Sequence, residues 1–140
     1  MGAPAVVNQI VARFLDGRTV KGHTLDVHQS RPTFHVRSPS GEKTLVRLDE
    51  LKALFFVRDL GGDPKRVEGM AIESDDLRAR GAHPIEVEFA DGERIVGLTV
   101  RYPPLGAYFY ILPADTASNN IRILVNRSAI VRMTKPEAAA

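Results

Sequence analysis

The histidines are the side chains with the clearest capacity for metal binding or acid–base chemistry. There are four, at His23, His28, His35 and His83. His23 and His35 would form a metal site with Asp26 only if three ligands converged, and no His-x-x-x-His or His-x-His pair is present. Solvated or loop histidines are the preferred interpretation. We therefore expect no metal site and no bound cofactor.

Motifs for enzymatic chemistry are not found either. Ser30, Ser38 and Ser40 lie in turn-like sequence, outside any Gly-x-Ser-x-Gly context that would mark an activated serine. Gly61-Gly62 leads into Asp-Pro, which is typical of a turn and not of a phosphate-binding loop. The Arg-x-x-x-Arg and Asp/Asn-x-Ser-x-x-Gly pattern of a cyclic-dinucleotide receptor is absent. The sequence predicts a protein that is not an enzyme.

Basic residues concentrate in the first half of the chain. The strands predicted there carry few acids, whereas Glu86 and Glu88 occupy comparable positions in the second half. Such a cluster would bind the phosphate backbone of a nucleic acid. An ordinary solvated surface is the favoured alternative, because the net charge is only +2, from 19 basic and 17 acidic residues. The residues assigned to the nucleic-acid patch are Arg13, Lys21, Arg31 and Arg37.

Aromatic residues point to a second kind of surface. Tyr108 and Tyr110 alternate with Phe109 and Ile111, so their side chains are expected on the face turned away from the core. Together with Tyr102 they suggest a binding face, on which a peptide would pack or the bases of a single-stranded nucleic acid would stack. The structural alternative, given equal weight, is that these rings cover a contact inside the protein.

Phe55 and Phe56 are adjacent within a predicted strand. Neighbouring side chains of a strand point to opposite faces, so one ring must be buried against the second unit, the linker or another chain. The residues assigned to a partner surface are Tyr102, Tyr108, Tyr110 and Phe55.

These residues lie on elements that occur twice. The stretch from Phe14 to Thr24 repeats the Phe, Asp-Gly, Gly and Thr positions of Phe89 to Thr99, 75 residues later. Asp-Gly between apolar runs predicts a type I′ hairpin turn. Gly22 and Gly97, inside strand patterns, predict a bulge or sharp bend.

The repeat continues through a third, fourth and fifth strand in each unit. The third strands match at the same offset of 75, with Phe34 corresponding to Phe109. The fourth strands are matched at an offset of 77, with Val46 corresponding to Ile123. A tight helical turn then precedes the fifth strand.

The segment between the repeats is long enough to carry structure of its own. A short strand is expected over residues 66–72, and a helical turn with Ser74 as N-cap and Gly81 just beyond its end. The predicted organisation is a first barrel at residues 1–58, a linker at 59–83, a second barrel at 84–135 and a frayed tail at 136–140.

Three features resemble the small SH3-like and Sm-like barrels: the stretch Val20 to Thr24, the aromatic third strand, and Asn126 to Ile130 before the last strand. This resemblance implies an all-β chain of two tandem five-stranded barrels joined by a partly structured linker. Leu51 to Asp59 also resembles an uncharacterised bacterial domain family without an established activity. Small barrels bind nucleic acids, peptides and nucleotides, so the fold alone selects no function.

Composition supports a cytoplasmic location, because the chain has no cysteine and no apolar run long enough to cross a membrane. We expect a non-catalytic binding or adaptor module with a protein or peptide partner, for which strand addition at an open sheet edge is one mechanism. The alternative is RNA or single-stranded nucleic-acid binding through the basic face of the first barrel.

Overall fold

The structure, a computed structural model, describes residues 7–73 and 75–136. Strands dominate it, so the prediction of an all-β protein is confirmed. The strands are β1 (Asn8–Phe14), β2 (Thr19–Thr24), β3 (Thr33–Arg37), β4 (Lys43–Arg47), β5 (Leu51–Val57), β6 (His83–Phe89), β7 (Arg94–Thr99), β8 (Tyr108–Pro113), β9 (Asn120–Asn126) and β10 (Ile130–Thr134).

The helical structure of the described residues consists of three short 3₁₀ turns, at Leu48–Glu50, Leu77–Ala79 and Arg127–Ala129. Two of them precede β5 and β10, where the sequence predicted tight turns. None of these short segments has the length or hydrophobicity that crossing a bilayer requires.

All ten strands belong to one antiparallel sheet, in the order β10-β6-β7-β8-β9-β5-β1-β2-β3-β4. The sheet does not close on itself, and β10 and β4 are its two ends. The sequence predicted two separate barrels instead. The difference arises at β5, which pairs with β1 on one side and with β9 on the other. Hydrogen bonding therefore runs continuously from one half of the chain into the other.

β5 is buried on both faces and separates two hydrophobic cores. Phe56 and Leu54 pack in the first core, which is built mainly from β1–β5. Phe55, Ala53 and Val57 point the opposite way into the second core, built mainly from β6–β10. The expectation that one adjacent ring must be buried against the other half is correct, and that ring is Phe55.

The two hairpin turns have the same geometry. Gly17 and Gly92 have φ values of 93° and 91°, and no residue other than glycine has a positive φ in the described part of the chain. The predicted type I′ turn is wrong, because it needs two successive positive φ values. In its place a three-residue loop ends with glycine in the left-handed region, closed by the bond from the Phe14 N–H to the Arg18 carbonyl at 2.9 Å.

The fourth strands correspond at an offset different from the predicted 77. Thr33 pairs with Arg47 in the first half, and its counterpart Tyr108 pairs with Asn126 in the second. This register places the offset at 79 residues, the same as that of the fifth strands. The preceding turn of the second half is therefore four residues longer than that of the first.

The linker packs against β7 and β8 without forming a strand over residues 66–72. Ile72 is its anchor, 2% exposed against Val96, Leu98 and Ala114. The predicted helical turn is present, and Gly81 follows it with a φ of 80°. The Asp76 side chain caps the turn by accepting from the Arg78 N–H. The predicted N-cap, Ser74, lies outside the described residues.

Asp115 fastens the linker to the sheet. One carboxylate oxygen accepts from the Gly69 N–H at 2.8 Å and from Arg66 at 2.7 Å, and the other accepts from the Ala117 N–H at 2.9 Å. These contacts lower the pKa of the Asp115 carboxyl to about 2. The hydrogen bond from the Gly69 N–H is the largest cause, and the one from Arg66 is the next.

Acid is therefore expected to release the linker. A carboxylate whose pKa is lowered by folding stabilises the folded state fully above its unfolded pKa of about 3.9. That contribution is lost as the pH falls through the folded pKa, so the free energy of unfolding should decline between about pH 4 and about pH 2. Urea titrations across this range measure it. Asp115→Asn should show a shallower decline, and an unchanged slope in that variant would contradict the assignment.

Lys52 connects the halves by a second contact. Its ammonium lies 2.6 Å from an Asp91 oxygen and 2.5 Å from a Glu93 oxygen, and 4.8 Å from the centre of the Phe89 ring. The side chain is 10% exposed, whereas the two carboxylates are about half exposed. The contact of Lys52 with the two carboxylates is thus intermediate between a surface ion pair and a buried one.

Lys52→Met is expected to lower the free energy of unfolding by about 1–2 kcal/mol, because methionine retains the packing of the stem but leaves both carboxylates without their cation. Urea denaturation measures the change. Lys65→Met, at an exposed lysine of the linker, is the control and should change stability little. Equal effects of the two substitutions would rule out a bridging role.

Candidate functional site

The predicted partner-binding aromatics do not form one surface. Phe55 is 6% exposed and lies in the second core, with the Arg13 guanidinium 5.6 Å from its ring centre. Tyr102 packs against the second core elsewhere, with the Lys135 ammonium 5.7 Å from its ring centre. The burial of Phe55 corrects its assignment to a partner surface, because the ring is engaged within the chain.

Tyr108 and Tyr110 point away from the second core, as their alternation predicted. Both are half-buried against the first core, and the Tyr110 ring centre lies 6.0 Å from that of Phe56. Burial raises the pKa of the Tyr108 hydroxyl. These rings cover a contact between the halves, which is the structural alternative stated above.

The predicted nucleic-acid residues occupy two regions. Arg13, Lys21 and Arg37 lie on the outer face of β1–β3, which is the face turned away from the first core. Arg31 lies apart from them, in a cleft with Tyr108 and Asp49. Lys21 donates to the Leu60 carbonyl at 3.0 Å, so the linker contacts this face at its Lys21 end, where Arg13 and Lys21 both stay exposed.

A row of basic side chains crosses the other end of the outer face. His23 of β2 is directly opposite Arg37 of β3, and Arg37 is directly opposite Lys43 of β4. Within the described residues, neither Arg37 nor Lys43 has a carboxylate within ion-pair distance. Like charges directly opposite in a sheet are destabilising. We call His23, Arg37 and Lys43 the basic row, and an anion bound there would relieve the repulsion between Arg37 and Lys43.

The acid that lines a cleft together with the basic row is already engaged. Asp26 accepts from the His35 N–H at 2.9 Å, from the His35 ring at 2.7 Å and from the Thr24 hydroxyl at 3.2 Å. Burial raises the pKa of Asp26, but these hydrogen bonds outweigh burial and leave it below its ordinary value. Asp26, His35 and the basic row line a cleft of about 240 Å³ together with Leu25. The cleft combines positive charge with one exposed apolar side chain.

The row ends at the outer edge of β4, with which no strand pairs within residues 7–73 and 75–136. Ser38 N–H donates to the Glu42 carbonyl and Leu48 N–H to the Pro32 carbonyl. Bonded pairs alternate with non-bonded pairs in an antiparallel ladder, so the intervening odd-numbered residues of β4 direct their N–H groups away from β3. Leu45 is the central one of these, and its side chain is 59% exposed.

The other end of the sheet carries the features that protect an edge. The pairing of β10 shifts register between Ile130 and Arg132, and Arg132 is exposed. Lys135 and Pro136 come directly after the end of β10 at Thr134. Bulges, cations and proline are devices by which natural sheets prevent strand addition. β4 also carries cations, Lys43 and Arg47, but it pairs with β3 without a shift of register and contains no proline. Of the two ends, β4 is the more accessible to a new strand.

The comparison with protein families matches residues 6–135, nearly the whole chain, to one family. The chain belongs to DUF6982, a family of unknown function. Comparisons with curated proteins and with solved structures found no match.

The outer face is open in the first half of the DUF6982 chain, whereas the equivalent face of the second half is covered by the linker. Leu98 and Leu112 form the pair that corresponds in register to His23 and Arg37. Leu98 is 1% exposed, and the linker residue Ile72 packs against it. The same face is therefore apolar and covered in one half, and basic and open in the other.

Lys43 and Leu45 are the residues of this DUF6982 site that the sequence analysis did not single out. The signal was present in the alternation of Lys43, Leu45 and Arg47 with Thr44 and Val46. This period of two places one apolar side chain between two cations on a single face. The alternation does not reveal that β4 ends the sheet, which depends on the pairing of all ten strands.

Proposed function

We propose that this DUF6982 member is a non-catalytic binding module that recognises a protein or peptide partner by strand addition at β4. The observation that carries the proposal is the basic row ending at an unpaired edge whose central residue, Leu45, is exposed. A strand added there gains main-chain hydrogen bonds, and its side chains contact those of β4 for specificity.

We also propose that the two halves are tandem copies of one small SH3-like or Sm-like unit. Both halves have the same strand order, and their β1–β2 and β6–β7 hairpins share the same register. The absence of cysteine is consistent with the cytoplasmic location that we propose.

Nucleic-acid binding is the second candidate, favoured by the continuation of the basic row toward Lys21 and Arg13 on the same face. Single-stranded nucleic acids also need exposed aromatic rings for stacking. Tyr108 and Tyr110 are half-buried on another part of the surface, so the geometry favours a protein partner.

Leu45→Pro tests strand addition directly. The Leu45 N–H points away from β3, so proline there removes an outward donor without breaking the ladder with β3. Capture from lysate should be compared for the parent chain, Leu45→Pro and Leu45→Ala, each with nuclease-treated and mock-treated halves.

The proposal predicts a protein that the parent and Leu45→Ala retain after nuclease treatment and that Leu45→Pro loses. Capture that nuclease abolishes would favour the nucleic-acid alternative, and such binding should also weaken steeply with salt. Retention of every partner by Leu45→Pro would contradict strand addition at β4.

A further inference from the structure

We infer that the segment added at β4 is acidic, with a carboxylate placed opposite Lys43 and an apolar side chain placed opposite Leu45. This inference rests on the proposed strand addition and specifies the chemistry of the partner. It follows from which β4 side chains share the outer face and from the charges beside them.

Three β4 side chains define the outer face: Lys43, Leu45 and Arg47. A strand added at the edge places every second side chain on this face, directly opposite one of the three. Its other side chains lie beside Thr44 and Val46 on the core side. The outer face of β4 therefore contacts every second side chain of the added strand.

The position opposite Lys43 requires negative charge. Lys43 has Arg37 on its inner side, and His23 lies beyond Arg37. Asp26, the acid of the adjoining cleft, is engaged by His35. A carboxylate on the added strand would reach both Lys43 and Arg37 and relieve the repulsion between them.

The position opposite Arg47 contributes less. Arg47 already pairs with Asp49 at 2.9 Å and lies 3.8 Å from a Glu50 oxygen, so its charge is balanced within the chain. Leu45, between the two cations, is 59% exposed and would be covered by an apolar side chain. The resulting pattern is an acidic residue two positions from an apolar one.

The second half shows that this outer face accepts a covering segment. There the linker lays Ile72 over Leu98, at the position that corresponds to His23. In the second half an apolar segment covers an apolar face. By the same complementarity, a segment that covers the basic face of the first half should carry carboxylates. A second copy of this chain fits less well, because its free strand β10 presents Arg132 and is followed by Lys135.

Synthetic peptides test the inference. The probe contains the sequence Glu-Val-Leu-Val-Glu, which places glutamate and leucine on one face whichever way the strand runs. One comparison peptide carries glutamine for both glutamates. Another moves the glutamates by one position, onto the core side. Fluorescence anisotropy measures binding of each to the parent chain, to Arg37→Gln, to Lys43→Gln and to the exposed-arginine control Arg101→Gln, with an oligouridylate as competitor.

The glutamate peptide is expected to bind at least about tenfold more tightly than either comparison peptide, since hydrogen bonds to charged groups are stronger than those between neutral groups. Arg37→Gln and Lys43→Gln should reduce that preference, and Arg101→Gln should preserve it. Equal affinity for the glutamate and glutamine peptides, both lost in Leu45→Pro, would overturn the inference and leave strand addition standing. Three results would overturn both the inference and strand addition. They are binding that Leu45→Pro leaves intact, no binding of any peptide, and displacement of the glutamate peptide by oligouridylate at a lower concentration than by the same peptide without its label.

Discussion

Phe56→Ala is expected to lower the free energy of unfolding by about 4 kcal/mol, within the range for removing a buried phenylalanine. Phe56 is 2% exposed in the first core. The Arg122 guanidinium lies 4.2 Å from its ring centre, and the Tyr110 ring packs on it at 6.0 Å. Truncation would therefore leave a cavity and also remove the support of both neighbours.

Urea denaturation followed by far-ultraviolet circular dichroism measures this loss. Leu45→Ala is the control, because that side chain is mostly exposed and its truncation should change stability by at most about 0.5 kcal/mol. A loss below about 1 kcal/mol for Phe56→Ala would show that β5 is not the shared centre of the fold.

Gly22→Ala is expected to destabilise the protein by about 3 kcal/mol, at the upper end for inserting atoms into a packed site. A Cβ at Gly22 would lie well inside contact distance of the Arg37 carbonyl oxygen. β2 and β3 could then remain paired only by moving apart. Since His23 pairs with Arg37 at this point, the substitution should also separate the members of the basic row.

Two glycines provide controls for this substitution. Gly61→Ala meets no atom closer than 3.7 Å and should be nearly neutral. Gly97→Ala places a Cβ against the Leu112 carbonyl oxygen at the corresponding position of the second half. It should destabilise comparably while leaving the basic row in place. If Gly22→Ala were as stable as Gly61→Ala, the close approach of β2 and β3 would be contradicted.

Local patterns in the sequence were sufficient to predict the strands and hairpins. The apolar runs on either side of the two Asp-Gly pairs identified the β1–β2 and β6–β7 hairpins, because strand preference and turn conformation depend on neighbouring residues. The adjacent rings of Phe55 and Phe56 also indicated a strand buried on both faces.

The pairing of β5 with β9 could not be predicted in the same way. It joins residues far apart in sequence, such as Ala53 and Val125, and no local periodicity specifies which strand edges meet. The candidate site depends on the same information. Arg37 was identified as basic, but its row with His23 and Lys43 exists only because of the register across three strands.

Hydrogen exchange at the β4 backbone is the most direct test of the proposed binding edge. In the free protein, the outward N–H of Leu45 should exchange quickly, whereas those that bond to β3 should be protected. Adding the glutamate peptide should slow exchange at Leu45 and at its outward neighbours Lys43 and Arg47. Protection confined to β10, or to the Arg13 and Lys21 end of the outer face, with Leu45 unchanged, would contradict binding at the open end of the sheet.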